Sequence, residues 1–247
     1  MKGAGILAAR ARRAFLEYHP IGTAGGEIHR TLPFGPLAEI FALDLRSFRG
    51  PNSENRQTTL DERSAILGAS QLTRLKARLA ASQATWKVIA SDMPVGVVVR
   101  DSPSHYEAVA NGDPGVPLGR ELEIADLLRF IRERKIRNVV WVTGDVHYCA
   151  AHHYDPARAR FTEFSPFWEF IAGPLNAGSF APGVMDPTFG PEVKFTGTSA
   201  TTKPNRPPSE GLQFFGTLTI DARTRALTAR LIDLSGKILF TVELPAE

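Results

Sequence analysis

Short apolar runs alternate with longer apolar periodicities along the first 150 residues of the chain. Runs bounded by turn residues predict buried strands, and apolar residues spaced three or four apart predict helices that bury one face. In chain order the pattern predicts a strand in the second half of 35–43, a helix at 71–80, a strand at 86–91, a helix at 120–135 and a strand at 138–142. Ser70 is the predicted N-cap of the helix at 71–80. This order predicts an α/β layered domain with functional groups at the carboxyl ends of its strands.

The pattern changes after residue 150, which divides the chain into an α/β part at 1–150 and a second part at 151–247. An aromatic-rich strand is predicted at 164–172, and its aromatic side chains are interpreted as core. Three further strands, joined by short polar turns, are predicted at 212–220, 227–234 and 238–244. Their alternation is typical of an antiparallel meander. The predicted class is therefore mixed α/β (α+β), ending in a three-strand meander.

The N-terminal segment is predicted to be an amphipathic helix, and not a signal peptide. Its apolar residues follow helical spacing and are Leu7, Ala11, Ala14, Phe15 and Tyr18. Arginines at 10, 12 and 13 interrupt the apolar run that a signal peptide would need. The helix is expected to end at His19-Pro20, before a glycine-rich turn at 22–26. No apolar stretch approaches the ~20 residues that cross a bilayer, so no transmembrane segment is predicted.

Charge and cysteine content narrow the classes of function. The 247 residues include 29 basic and 26 acidic side chains, for a formal net charge of +3. The basic residues are dispersed apart from two short runs that we interpret as solvated helix faces, so no nucleic-acid partner is predicted. The single cysteine, Cys149, excludes an intramolecular disulfide. The sequence contains no P-loop and no Gly-x-Ser-x-Gly motif, so nucleotide-cofactor and serine-hydrolase chemistry have no support.

The sequence Gly-Asp-Val-His at 144–147 is the strongest chemical signal in the chain. It directly follows the predicted strand at 138–142, and Gly144 lets the backbone turn out of the sheet. If this segment were extended, Asp145 and His147 would point the same way, because side chains two apart share a face of a strand. A carboxylate and an imidazole at one point are plausible ligands of a metal ion. The alternative is a common strand-to-loop turn with a polar histidine.

Charged residues also follow the predicted strand that ends near residue 43. Asp44 ends this strand, and Arg46 and Arg49 come directly after it. Guanidinium groups at the rim of a sheet can bind phosphate oxygens and stabilise a phosphoryl transition state, which makes both arginines candidate catalytic residues. The alternative is an Asp–Arg salt bridge that holds the loop in place.

Two histidines behind the Gly-Asp-Val-His segment are further candidates. His152 and His153 are adjacent, and adjacent side chains on a strand face opposite ways, so at most one reaches the site. We take His152 as a candidate catalytic residue that donates a proton. A nucleophilic role for Cys149 is disfavoured, because no base stands at a diagnostic spacing from it.

Five short segments, taken together, resemble one known enzyme family. They are FALDLRSFRGPN at 41–52, ILGASQ at 66–71, WKVIASDMP at 86–94, NVVWVTGDVHY at 138–148 and FWEFIAGPLNAG at 167–178. In this order they resemble the PhoD family of alkaline phosphatases, in the metallophosphoesterase superfamily. The resemblance runs over nearly the whole chain, although each segment by itself is a weak signal.

The resemblance implies part of an αββα sandwich that hydrolyses phosphate mono- or diesters with calcium and iron. It implies that Asp145 and His147 match the family's Asp-Val-His metal-binding motif. Asp44, Arg46 and Arg49 match the family's Asp-x-Arg-x-x-Arg segment, whose position is close to the site. Members of the family are typically exported to the periplasm or the cell exterior. Because this chain shows no signal peptide, its localisation stays open.

The resemblance covers only the carboxyl-terminal half of the family's phosphatase domain. The family's first metal-binding block precedes anything found here, so we expect an incomplete set of metal ligands. In the first interpretation, the chain is a phosphatase polypeptide whose activity needs a complementing amino-terminal fragment.

Two other interpretations stay open. A mononuclear site could be built from other carboxylates, with weak phosphoesterase activity; the candidates are Asp44, Asp92, Asp101 and Asp155. Alternatively, the protein is a non-catalytic interaction domain that forms a homodimer or pairs with another chain across an exposed sheet edge.

Overall fold

The helices and strands of the computed structural model, which describes residues 4–21 and 27–247, follow the predicted order with three additional strands and one additional short helix. The helices are α1 (Ala4–Tyr18), α2 (Leu45–Phe48), α3 (Ala69–Ala81) and α4 (Glu121–Glu133). The strands are β1 (Arg30–Phe34), β2 (Ala38–Ala42), β3 (Trp86–Ala90), β4 (Val139–Thr143), β5 (Ala150–Tyr154), β6 (Phe167–Ile171), β7 (Pro191–Thr196), β8 (Phe214–Ile220), β9 (Leu227–Asp233) and β10 (Ile238–Leu244).

The strands form two sheets. The larger sheet has seven strands in the order β1-β2-β3-β4-β6-β5-β7, and β2, β3, β4 and β6 run parallel. Strands β1, β5 and β7 run antiparallel to their neighbours. The smaller sheet is the antiparallel meander β10-β9-β8. Because parallel strands end at the same edge, the loops after β2, β3 and β4 meet there.

Side-chain alternation along the central strands builds two cores. Ile89 and Trp141 face a core that includes the apolar faces of α3 and α4. Val88 and Val140 point the other way and pack against Leu231 and its neighbours in the meander. Both faces of the large sheet are thus covered, which explains why its central strands are short continuous apolar runs. The mixed α/β class and the terminal meander predicted from the sequence are confirmed.

A buried carboxylate joins α4 to the turn before α3. Glu123 Oε2 accepts hydrogen bonds from the backbone N–H groups of Ile66 at 2.8 Å, Leu67 at 2.6 Å and Gly68 at 3.1 Å. Gly68 precedes the helix with a φ of 72°, a conformation that favours glycine. The predicted N-cap Ser70 was therefore wrong, because the helix already begins at Ala69 and its entry is held by a side chain from another helix.

Three strands were not predicted, and each lacks an apolar run. β1 contains Pro33 and has an exposed second half, as expected of an edge strand. β5 carries two histidines, and β7 is the other edge. Because β6 lies between β4 and β5, the large sheet continues across the division at residue 150. The aromatic residues of 161–170 lie in the core, as predicted; Phe161, Phe164, Phe167 and Phe170 are buried.

The first helix is α1, where the amphipathic pattern predicts it, but its apolar residues are exposed. Leu7 is 72% exposed and Tyr18 is 83% exposed. The predicted glycine-rich turn at 22–26 lies outside the described residues. Each helix in the described parts of the chain is too short or too polar to cross a bilayer.

The long loop between β3 and α4 is tethered to the fold by buried polar groups. Glu121, at the start of α4, accepts hydrogen bonds from Asn111 Nδ2 and from the backbone N–H of Leu118, both at 3.1 Å. Its second oxygen, Oε1, has no hydrogen-bond partner among the described residues. Burial, followed by the charge of Asp186, raises the pKa of Glu121 to about 9. A protonated Glu121 can donate to Asp186, which in turn accepts from the backbone N–H of Gly112 at 2.7 Å.

This protonation makes stability depend on pH. Between the ordinary glutamate pKa of roughly 4.3 and about 9, the folded chain keeps a proton that the unfolded chain has lost, so stability falls as pH rises. Glu121→Gln removes this dependence. We expect its unfolding free energy, relative to wild type, to increase by on the order of 1 kcal/mol per pH unit from pH 5 to about 9, measured by urea unfolding. The exposed Glu133→Gln is the control and should show a flat difference; a flat difference for Glu121→Gln would contradict the assignment.

Candidate functional site

Charged side chains from three strand ends and one long loop meet at one edge of the large sheet. Arg46 follows β2 on α2, Asp92 follows β3, and Asp145 and His147 follow β4. Glu107 joins them from the loop between β3 and α4. We call this group the rim. The carboxyl ends of parallel strands are where α/β proteins commonly place their functional groups.

Asp44 holds the short helix that carries Arg46. Its carboxylate caps α2 by accepting from the backbone N–H groups of Arg46 at 3.0 Å and Ser47 at 2.8 Å. Its own backbone is held by Gln71, which accepts from Asp44 N at 2.8 Å and donates to Asp44 O at 3.0 Å. Asp44 is buried and does not pair with an arginine side chain, so the predicted Asp–Arg salt bridge is replaced by a helix cap.

Arg46 connects three carboxylates. Its Nε donates to Asp92 Oδ2 at 2.8 Å, its Nη1 to Glu107 Oε1 at 2.8 Å, and its Nη2 to Asp145 Oδ1 at 3.0 Å. A guanidinium has five N–H donors, so these bonds leave donors for a further oxygen ligand. The Arg46 side chain is 51% exposed, so a ligand from solvent can reach it.

Arg49 and Arg120 hold Glu107 in place. Arg49 Nη1 lies 3.4 Å from Glu107 Oε1, and its Nη2 donates to the Glu107 carbonyl at 3.1 Å. Arg120 is fully buried and donates to that same carbonyl at 2.7 Å and to the carbonyl of Pro51 at 3.0 Å. Burial and then the charge of Arg49 lower the pKa of Arg120 to about 10, which keeps it charged at neutral pH. The hydrogen bond from Arg46 lowers the pKa of Glu107.

The turn after β4 is not extended. Asp145 has a φ of 66° and His147 a φ of 57°, so both lie in the left-handed region. The expectation that an extended backbone directs their side chains together is wrong, but both side chains line one cavity of about 400 Å³. Non-glycine residues in this region are uncommon, and such strain concentrates at functional sites.

A backbone carbonyl orients the His147 ring. His147 Nδ1 lies 2.7 Å from the Gly178 carbonyl oxygen, which can only accept, so Nδ1 carries the proton. In the neutral ring this leaves the Nε2 lone pair for another partner. Burial raises the pKa of Asp145, and so do the neighbouring charges of Glu107 and Asp92, whereas Arg46 opposes the shift.

Asp145 and His147 are the residues here that fit a metal ion, because they supply a carboxylate oxygen and an imidazole nitrogen to one cavity. Within residues 4–21 and 27–247, no group of three or more His, Cys, Asp and Glu side chains is arranged to hold a metal. The described residues therefore show no complete set of metal ligands. Asp92 and Glu107 lie nearby, and Arg46 donates hydrogen bonds to both of them as well as to Asp145.

His152 does not join the rim, which corrects the expectation that it donates a proton there. It is buried within β5 and its Nδ1 lies 2.9 Å from Glu169 Oε2. Tyr154 also donates to Glu169 Oε2 at 2.8 Å, and Glu169 Oε1 accepts from Val95 N at 2.8 Å. These groups form a closed hydrogen-bond network that holds the loop after β3 on the sheet.

Of the other three aspartates considered from the sequence, one lies in the rim and two lie elsewhere. Asp92 lies in the rim. Asp155 follows β5 at the other end of that strand and lies 3.4 Å from Arg158. Asp101 forms a loop turn with His105, and no contact joins it to the rim in the described part of the chain.

Sequence reasoning missed Glu107 and Arg120. Glu107 lies in an irregular loop, and no motif marks it. Arg120 is the first residue of the helix predicted at 120–135, where an arginine is expected to be solvated rather than buried. The length of the loop at 92–119 was the available signal, because long loops in compact domains are commonly functional.

Known proteins share this sequence pattern and fold. The family model described as PhoD-like phosphatase matches residues 3–231. Alkaline phosphatase D from Bacillus subtilis (strain 168) is 28% identical, over 69% of this chain and 30% of its own length. A solved structure of PhoD matches with a TM-score of 0.56 and 18% identity, over 95% of this chain and 45% of the solved chain. The chain thus spans less than half the length of both proteins. From the family match, this chain belongs to the PhoD-like phosphatase family.

Proposed function

We propose that this chain hydrolyses phosphate mono- or diesters and that the rim is its active site. The observation that carries the proposal is the shared cavity of Asp145 and His147 beside the Arg46 guanidinium. It places two metal-binding side chains next to a group that binds phosphate oxygens. Membership of the phosphatase family supports the same reaction.

We infer that Asp145 and His147 hold a metal ion. A bound metal would activate water and stabilise charge on the phosphate. The resemblance suggests calcium and iron, and the imidazole donor suits iron better, because calcium prefers oxygen ligands.

The rim side chains have separate roles in this proposal. Arg46 uses its remaining donors to bind a phosphate oxygen while its bonds to the carboxylates keep it oriented. Arg49 acts through Glu107, which it positions. The Gly178 carbonyl holds His147 in the tautomer that presents Nε2.

We further propose that other donors complete the metal site. Asp145 and His147 supply two ligands, whereas metal sites in hydrolases commonly use three or more protein ligands. A complementing amino-terminal fragment would supply them. A second copy of this chain is the alternative source.

Substitution of the carboxylate ligand tests the active site. Asp145→Asn keeps the shape of the side chain but weakens metal binding, so kcat/KM for p-nitrophenyl phosphate or bis-p-nitrophenyl phosphate should fall by on the order of a hundredfold. Titration calorimetry should show a parallel loss of affinity for ferrous iron or calcium. Asp113→Asn, an exposed aspartate paired with Arg56, is the control. Full activity in Asp145→Asn would reject the assignment.

Substitution of Arg46 by lysine tests separately whether the shape of the guanidinium is needed. Arg46→Lys keeps the charge, but a compact ammonium cannot reach Asp92, Glu107 and Asp145 at once. We expect kcat/KM to fall by about tenfold to a hundredfold through loss of one phosphate donor and of rim geometry. The exposed Arg160→Lys is the matched control. Equal activity of Arg46→Lys and wild type would show that Arg46 provides charge alone.

A non-catalytic interaction domain is the second candidate function. It is favoured by the exposed apolar residues of α1, where Leu7 and Tyr18 face solvent. In this case the chain should form a homodimer that the double substitution Leu7→Asp and Tyr18→Asp dissociates. Light scattering during size-exclusion chromatography measures this, with Arg10→Asp on the same helix as control. A monomer at all concentrations would exclude self-association through α1.

A further inference from the structure

The cavity that Asp145 and His147 share has mostly apolar walls. Its volume is about 400 Å³. The apolar lining comes from the loop after β3, the turn after β4 and the segment after β6, and its members are Val97, Val98, Val99, Val146, Phe180 and Ala181. Cavities that bind small molecules commonly have volumes of roughly 300–1,000 Å³, with apolar walls and a few polar groups that fix orientation. The proposed function uses the two polar residues and gives the apolar walls no role.

The apolar walls are open to solvent. Val98, Val99 and Phe180 line the cavity and are only partly buried, so part of each side chain faces open space. Val184 is 74% exposed and follows Gly183, which also lines the cavity. Exposed apolar surface that surrounds a polar site is typical of a ligand-binding groove. An apolar group of a ligand can therefore contact these walls without any change in the fold.

Backbone hydrogen bonds hold the walls in place. Val98 N donates to the Val184 carbonyl at 2.9 Å, and Phe180 N donates to the His147 carbonyl at 3.1 Å. The Phe180 ring meets the His147 ring edge-on, with ring centroids 5.6 Å apart. The apolar wall is thus fixed relative to the imidazole, and a preformed wall of this kind lowers the entropy cost of binding.

Buried and uncharged side chains lie beneath these walls. Val97 is 1% exposed and Tyr148 is 2% exposed, and both pack with Ala150 and Ile171 in a separate apolar cluster. Burial raises the pKa of Tyr148 to about 12, so its hydroxyl is neutral at physiological pH. This part of the cavity therefore offers no charge to a ligand.

The basic residue of the lining, Arg100, is engaged by groups outside the cavity. Its Nη1 donates to the Pro103 carbonyl at 2.9 Å, and its guanidinium lies over the Tyr106 ring, 4.6 Å from the centroid. A charged ligand group between the apolar walls would lose water without gaining a partner, which is unfavourable. An uncharged apolar group loses little and gains contact area.

We propose that this cavity binds an aryl or alkyl ester group of the phosphate substrate and that Phe180 determines this specificity. The inference rests on the proposed function. The phosphate lies beside Arg46, whose Nη2 donates to Asp145 at 3.0 Å, and the ester group lies between Val98 and Phe180. In hydrolysis of a monoester, water adds across the P–O bond. Its oxygen goes to phosphorus, a proton goes to the leaving alcohol, and the apolar group departs with that alcohol.

Two esters with similar leaving groups test the specificity. The esters 2-phenylethyl phosphate and ethyl phosphate both release a primary alcohol, so a difference in kcat/KM reports contacts of the phenyl ring. Wild type should favour 2-phenylethyl phosphate by at least about tenfold, because the apolar walls bury the ring. Phe180→Ala removes one wall and should reduce this preference to about threefold or less, whereas Phe180→Leu should keep most of it.

The ratio of the two kcat/KM values separates specificity from general damage to the site. If Phe180→Ala only displaced the His147 ring, hydrolysis of both esters would fall together and the ratio would stay at its wild-type value. Phe34→Ala is the matched control, because Phe34 is 75% exposed on β1 and lies outside the cavity. Its ratio should equal that of wild type.

Phosphonates separate this proposal from the proposed function, because their C–P bond is not hydrolysed and binding needs no turnover. In titration calorimetry 2-phenylethylphosphonate should bind at least about tenfold more tightly than ethylphosphonate, and Phe180→Ala should remove most of that difference. If neither ester is hydrolysed while this difference in Kd persists, the proposed function fails and the apolar site stands.

Three results overturn the apolar site. The first is equal Kd values for the two phosphonates, which is expected if a second copy of the chain or another protein covers the cavity. The second is that neither phosphonate binds. The third is a preference for the phenyl compound that Phe180→Ala leaves unchanged.

Discussion

The contact on which the rim depends is the Arg46 guanidinium among three carboxylates. Asp92 and Glu107 come from the long loop after β3 and Asp145 from the turn after β4, and like charges so close together would separate without a cation between them. The guanidinium fork reaches all three at once because its nitrogens diverge in a plane. Asp44 caps the short helix that carries Arg46, and Gln71 holds Asp44. Gln71 of α3 thus fixes Asp44 by hydrogen bonds, and Asp44 in turn fixes the helix that carries Arg46.

The parallel strands give the two ends of the large sheet different chemistry. At the carboxyl ends, backbone turns after β2, β3 and β4 present carboxylates, arginines and His147. At the amino ends, the last turn of α4 and the strand starts present tryptophans and basic side chains. The same four parallel strands separate these two groups of side chains in space.

The comparisons establish the family and the fold, whereas the geometry of the rim concerns individual side chains. The family match extends over residues 3–231. The similarity to the solved PhoD structure, at 18% sequence identity, supports the fold alone. Within that fold, Asp145 and His147 line one cavity, and no group of three or more possible metal ligands is found among the described residues. The relatives are more than twice as long as the part of them that this chain matches.

The sequence by itself determined the central strands, the two core helices, the meander and the position of Asp145 and His147 at a strand end. These features follow from local periodicity and from turn residues next to apolar runs. Only the tertiary structure decided that Glu107 and Asp92 share Arg46, that His152 is buried with Glu169, and that three tryptophans line one cavity. These partners lie 17 to 61 residues apart for the hydrogen bonds concerned. Such pairings depend on strand order and loop paths, which hydrophobic spacing does not encode.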